Sequence, residues 1–104
     1  MNKKVVVLGA GESGVGAAVL SLKKGFDVFV SDMGNINQRY KDMLNQYGIQ
    51  WEEGQHTRER ILNADEVVKS PGIPDKAPII TEIKSAGIPI ISEIELAGRY
   101  TNAK

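Results

Sequence analysis

The sequence contains no cysteine, a single histidine and few aromatic residues: two phenylalanines, three tyrosines and one tryptophan in 104 positions. Without cysteine there is no disulfide framework and no thiolate metal site, a composition that fits a reducing compartment. The histidine, His56, stands in Gly54-Gln55-His56 with no constellation of carboxylates or second imidazole to make a metal site, so its simplest reading is structural or surface. A dominant charge is also missing. Thirteen basic residues balance thirteen acidic ones and the only basic doublets are Lys3-Lys4 and Lys23-Lys24, so the long-range field that draws proteins to nucleic acid is absent. The first apolar run, Val5 to Leu8, is far too short for a signal-peptide core or a membrane span, which makes the cytoplasm the expected location. No acid/base pair or nucleophile constellation emerges: Trp51 reads as an edge-strand aromatic and Glu52-Glu53 as a solvated acidic pair.

What is present is ordinary globular composition, 41% apolar and 25% charged, at a length that suits one domain. Lys4-Val5-Val6-Val7-Leu8 is a β-branched run without polar alternation, the pattern of a parallel strand covered on both faces. Val15, Ala18, Val19 and Leu22 then recur at helical spacing up to Lys23-Lys24-Gly25, whose cations and glycine suit a helix C-terminus. Val28-Phe29-Val30 predicts a second strand, and Tyr40, Met43, Leu44 and Tyr47 predict a second helical stripe that Gly48 stops. A third strand is expected at Ile49 to Glu52, a short helix at Thr57 to Asn63 and a fourth strand at Glu66 to Lys69. Pro78 opens a helix with Ile79, Ile83 and Ala86 on one side, and Ile88 to Ile91 makes a fifth strand. Ser92 and Glu95 form a capping-box pattern for a last helix to about Tyr100. Alternating strands and helices predict an α/β, Rossmann-like open sheet of five parallel strands in the order 3-2-1-4-5 with helices on both faces.

In such a sheet ligands bind beyond the strand C-terminal ends, where successive strands turn to opposite sides of the first. Two loops are expected to meet there: Gly9-Ala10-Gly11-Glu12-Ser13-Gly14, and Ser70-Pro71-Gly72-Ile73-Pro74, with Asp32 arriving from the second strand. Glycines let the first loop turn tightly against an anion, while the free N–H groups and dipole of the next helix stabilise its charge. Ser13 adds a hydroxyl donor. The Glu12 carboxylate would repel a phosphate, so its side chain is expected to point to solvent. A glycine string alone is a weak marker, but this one follows an apolar strand, opens an amphipathic helix and precedes Asp32 at fingerprint spacing. Asp32 reads as an acceptor for ribose hydroxyls or a base N–H, against the alternative of a loop aspartate or helix cap. Ser70 to Pro74 is equally readable as a rigid turn.

Taken together, Val5 to Gly14, Val28-Phe29-Val30-Ser31-Asp32, Ser70 to Pro74 and Gly87-Ile88-Pro89-Ile90-Ile91-Ser92-Glu93-Ile94-Glu95-Leu96 resemble the N-terminal domain of the Mur ligases, in the branch that adds D-glutamate. The resemblance covers essentially the whole chain in the right order. It implies a single UDP-binding domain over residues 1–104 of a cytoplasmic peptidoglycan-synthesis enzyme whose substrate is UDP-N-acetylmuramoyl-L-alanine. By position, Gly11, Glu12, Ser13 and Gly14 would hold the diphosphate, Asp32, Met33 and Gly34 would border the uracil, and Ser70, Pro71 and Gly72 would flank the sugar and diphosphate. None of these would be catalytic and none would bind a metal. Many relatives place a hydroxyl residue and a basic one just after the aspartate, where this chain has Met33-Gly34-Asn35. ATP and Mg²⁺ are implied for the whole enzyme only. Its phosphate loop, with a Gly-Lys-Ser/Thr ending, is absent here, so the ATP-binding and C-terminal domains are expected to be partners in cis, outside this chain. The competing reading is a small NAD-binding regulatory module that places Asp32 on the adenosine ribose.

Overall fold

The computed structural model describes residues 2–100. Lys4–Leu8 forms β1, the middle strand of a five-stranded sheet. Its four apolar residues are all buried and alternate between two cores, Val5 and Val7 on one side, Val6 and Leu8 on the other. With no solvent-facing side there is no position for a polar residue, hence the unbroken apolar run. The remaining elements are α1 (Glu12–Lys23), β2 (Asp27–Asp32), α2 (Gln38–Gln46), β3 (Gln50–Glu53), α3 (Arg58–Ile61), β4 (Glu66–Lys69), α4 (Pro78–Ser85), β5 (Ile90–Ser92) and α5 (Glu93–Tyr100). All four strand pairings are parallel and the order is β3-β2-β1-β4-β5, as the sequence predicts.

The first core joins Val5, Val7 and Val30 to Val15, Ala17 and Ala18 of α1, Leu44 of α2 and Leu96 of α5. The second joins Val6, Leu8, Phe29 and Val67 to Ile61 of α3 and Ile79, Ile80 and Ile83 of α4. Small residues set the α1 packing: Gly14, Ala17, Ala18 and Ser21 are buried, while the larger Val19 and Leu22 are only half-buried. A helix that presents small side chains to a sheet can approach it closely, and Ser21 Oγ is enclosed there without a partner among the described residues.

Several elements differ from the periodicity. Of the α2 stripe only Leu44 is buried; Tyr40 is half-buried and Met43 and Tyr47 lie exposed, because α2 covers the outer end of the sheet and meets the core along one narrow line. The third helix is a single turn, with Thr57 and Leu62 as its caps. In α4, Ile79, Ile80 and Ile83 point inward, whereas Ala86 is the exposed C-cap. Strand β5 starts at Ile90, after Pro89, which has no N–H to give the ladder and contributes only its carbonyl, accepting from Val67 N at 2.9 Å. The capping box is present: Glu95 N donates to Ser92 Oγ and Ser92 N to Glu95 Oε1, each at 3.0 Å. No helix among the described residues is long and apolar enough to cross a membrane.

One buried charge ties the far edge together. Glu66, at the start of β4, accepts from Arg99 Nη1 and Nη2 at 2.9 and 3.0 Å and pairs with Lys3 Nζ at 2.8 Å. The Arg99 guanidinium holds the Glu66 carboxyl below its usual range against the opposing effect of burial. A depressed folded-state value stabilises the fold above the ordinary carboxylate range and is lost as pH falls through that depressed value. Glu66→Gln is therefore expected to lower stability at neutral pH by about 1 kcal/mol, discounted because Arg99 and Lys3 are partly exposed, and to flatten the acid limb of the stability curve. Urea unfolding at neutral and acid pH measures both effects.

Candidate functional site

At the C-terminal edge of the sheet the chain leaves β1 through Gly9, whose φ of 99° lies in the region that side chains avoid. Gly9 N donates to Ser31 O at 2.9 Å, tying the turn to β2. On its other flank, a Cβ at Gly9 would stand 2.7 Å from Ser70 Cβ, so the two expected loops are in contact. Five residues on, a Cβ at Gly14 would lie 1.9 Å from the Gly9 carbonyl oxygen, so α1 can start directly against the turn only because residue 14 has no side chain.

This packing leaves a cradle of free amides. Gly11 is the N-cap and the first α1 backbone bond is Val15 N to Gly11 O at 2.9 Å. The N–H groups of Gly11, Glu12, Ser13 and Gly14 have no partner among the described residues and sit at the positive end of α1. Glu12 and Ser13 are exposed, Glu12 as expected from its charge.

Asp32 closes the β2 end of the cradle. Its Oδ2 accepts from Ala10 N at 2.8 Å and its Oδ1 from Gly34 N at 2.8 Å, so the carboxylate fixes the glycine loop and its own loop at once. Met33 beside it is 61% exposed and Gly34 O accepts from Gly54 N at 3.0 Å. The second loop is equally defined: Ser70 N donates to Leu8 O, Ile73 N to Ser70 O, and Lys69 Nζ to Ile73 O at 2.8 Å.

Two clefts flank the glycine loop. One, of about 550 Å³, is lined by Gly9, Asp32, Met33, His56, Gly72 and Ile73, with α4 behind. The other, of about 720 Å³, is lined by Ser13, Lys69, Pro71, Ser92, Glu93 and Ile94. Of the site residues expected from the sequence, Asp32, Met33 and Gly72 line the first cleft and Ser13 and Pro71 the second, while Ser70 packs against Gly9 between the two loops.

Sequence reasoning missed the contacts of four residues. Glu52 and Glu53 are not a solvated pair. Glu52 accepts from Thr57 N at 2.7 Å, Thr57 Oγ1 at 2.5 Å and Ser31 Oγ at 2.7 Å. These hydrogen bonds, with Arg60 nearby, outweigh burial and hold its carboxyl below the usual range. Glu53 accepts from Ile36 N and Lys41 Nζ, both at 2.9 Å, and so anchors the loop after Met33. His56 lies beside them with Nδ1 2.7 Å from Ser31 Oγ and forms part of the first cleft wall. Burial pushes its imidazole below the ordinary value although Glu52 and Asp32 pull the other way. Glu93 is buried against α1, its Oε2 unpartnered among the described residues and 3.5 Å from where a Gly14 Cβ would stand. Spacing along the chain carries no sign of these contacts, which exist only once β2, β3 and α5 are in place.

A glycine turn with unpaired amides, on the C-terminal edge of a 3-2-1-4-5 parallel sheet with helices on both faces, places the chain in the Rossmann-like class of open α/β domains. The family model described as Mur ligase MurD-like, N-terminal domain, matches residues 3–92, and the chain belongs to that family. It is 67% identical over 102 residues to UDP-N-acetylmuramoylalanine–D-glutamate ligase of Bacteroides fragilis, covering 98% of this chain and 23% of that protein. The enzyme of the same name from Porphyromonas gingivalis is 62% identical over 99 residues, 95% of this chain and 22% of its own. The chain therefore spans less than a quarter of the length of these curated relatives. Among solved structures, a pseudomurein peptide ligase type C from Methanothermus fervidus is 31% identical with a TM-score of 0.79, covering 99% of this chain and 21% of that one. A UDP-N-acetylmuramate:L-alanyl-gamma-D-glutamyl-meso-diaminopimelate ligase from Neisseria meningitides has the same fold, with a TM-score of 0.82 at 20% identity, covering 97% of this chain and 32% of that one.

The Gly9–Gly14 contact gives a direct test. Gly14→Ala forces a methyl into a backbone oxygen, so we expect a loss of about 3 kcal/mol or more, at the upper end of overpacking costs, read by thermal unfolding. The control Gly16→Ala, where a Cβ meets nothing within 4 Å, should be neutral or slightly stabilising.

Proposed function

We propose that this domain binds the UDP end of UDP-N-acetylmuramoyl-L-alanine within a cytoplasmic ligase that adds D-glutamate during peptidoglycan precursor synthesis. The observation that carries the reading is the row of free amides from Gly11 to Gly14 at the start of α1, with a cleft on either side of the glycine loop. Four converging donors and a helix dipole complement a diphosphate far better than a neutral ligand. Ser13, in the first turn of α1 and on the wall of the second cleft, adds a hydroxyl donor to the diphosphate site. Asp32, Met33 and Gly34 border the base, while Ser70, Pro71 and Gly72 flank the sugar and diphosphate. The names of the two curated relatives above, both D-glutamate ligases, at 67 and 62% identity, support this substrate over a dinucleotide.

The chain's residues do not fit ATP or Mg²⁺. The sequence has no Gly-Lys-Ser or Gly-Lys-Thr, and the described residues include no group of three or more His, Asp or Glu side chains that could hold a metal ion. Peptide-bond formation through ATP, with the carboxylate activated as an acyl-phosphate, belongs to the remaining domains of the ligase. The contribution of this domain is to grip one end of the substrate so that the other is presented in a fixed place, which is an entropic contribution to rate. Small NAD-binding regulators share the glycine fingerprint, and Asp32 is the residue on which that alternative turns. Each of its oxygens accepts one backbone N–H, from Ala10 and Gly34, and keeps a second lone pair, so the ligand titration and not Asp32 decides between the readings.

Titration with UDP-N-acetylmuramoyl-L-alanine, UDP and NADH, followed by amide shifts, separates the readings. Shifts at Gly11 to Gly14 are expected with both uridine compounds; a response to NADH alone sinks the proposal. Ser13→Ala should weaken UDP binding by about 1.5–3 kcal/mol, the usual loss of a hydrogen bond to a charged group, and unchanged affinity removes that hydroxyl from the diphosphate site.

A further inference from the structure

The buried network beside the first cleft fixes the state of His56. Ser31 Oγ has one proton and three neighbours: Glu52 Oε2 at 2.7 Å, His56 Nδ1 at 2.7 Å and Gln55 O at 3.2 Å. Glu52 is held ionised by Thr57 and Ser31 and can only accept. The Ser31 proton therefore goes to the carboxylate, its strongest acceptor, and Ser31 Oγ is left to accept from His56 Nδ1–H. A neutral imidazole protonated on Nδ1 carries a bare lone pair on Nε2. Nε2 has no hydrogen-bond partner among the described residues, and His56 lines the cleft together with Met33, Gly72, Ile73 and Pro74. A largely apolar slot is thereby furnished with one oriented neutral acceptor.

We propose that His56 selects the base of the bound nucleotide, its Nε2 accepting the ring N3–H of uracil in the cleft lined by Met33 and Ile73. The inference rests on the UDP-binding reading above and adds a specificity residue to it. Cytosine has the same shape but an unprotonated N3, so two lone pairs would face each other and the hydrogen bond made by uracil would be lost. The charged groups around the ring are Asp32 from β2, Glu52 from β3, Arg58 from α3 and Glu82 from α4, the last two paired with each other. Asp32 and Glu52 favour protonation, but burial outweighs them, so the ring stays neutral at neutral pH. In acid Nε2 gains a proton and becomes a donor, which suits the N3 of cytosine and no longer that of uracil.

The experiment compares UDP and CDP binding to the 104-residue chain at about pH 7.5 and about pH 5, bracketing the imidazole range. The expected result is a UDP preference of about tenfold at the higher pH that shrinks or reverses at the lower one. His56→Phe should abolish the preference, while His56→Gln, whose amide oxygen can reach the place of Nε2, should restore part of it. The ¹⁵N shifts of the free protein should show an Nδ1-protonated ring; an Nε2-protonated ring overturns the proposal without any ligand. Equal UDP and CDP affinities with shifts at Gly11 to Gly14 overturn base selection by His56 and leave the UDP-binding reading standing. Absence of binding by either nucleotide and by UDP-N-acetylmuramoyl-L-alanine overturns both.

Discussion

The contact on which the site depends is backbone against backbone: the start of α1 at Gly14 pressed onto the carbonyl of Gly9. There is no side chain at 14 to hold the two apart, and Gly9 takes the positive φ that points its carbonyl there. From that contact the rest follows. Helix α1 begins within four residues of the end of β1, its first-turn amides open into the crevice, and Gly9 is brought against Ser70 of the β4 loop. A side chain at either glycine would separate the helix from the strand and move the amides out of register with the loop opposite.

Around this contact the polar groups divide into those that shape the cradle and those left free to meet a ligand. Asp32 spends both oxygens on Ala10 and Gly34, Glu53 holds Ile36 and Lys41, and Glu52 holds Thr57 and Ser31. These carboxylates would be poor neighbours for a phosphate if exposed, but each is directed into backbone amides, hydroxyls or a lysine. The loops are thus tied down by anions while the α1 terminus keeps its positive potential. Preorganisation of this kind reduces the ordering cost that a ligand would otherwise meet on binding.

Much of the architecture was readable because its signals are local. The apolar run of β1, the glycines after α1, α2 and α4 and the reciprocal pairing of Ser92 and Glu95 are set by neighbours within four residues, so the order of elements and the parallel topology followed. The placement of Asp32 and the Ser70 loop also followed, from topology alone. The chemistry of Glu52, His56 and Glu93 did not. Glu52 and His56 acquire their partners from β2, roughly twenty residues away in sequence, and Glu93 meets α1 across the whole fold. Edges blurred for a similar reason: Pro89 delays β5 by its missing donor, and α2 buries one side chain where its stripe offered four, because the sheet beneath it is running out.

The central position of β1 has a consequence in time. β1 pairs with β2 on one side and with Glu66 to Lys69 of β4 on the other, so its second edge is covered by residues made some sixty positions later. At roughly 5–20 residues per second of synthesis, the most apolar strand of the chain waits for several seconds with one edge open. Its shortness, and the glycine that turns the chain away directly after Leu8, limit how much sheet a stray partner could build on it during that interval.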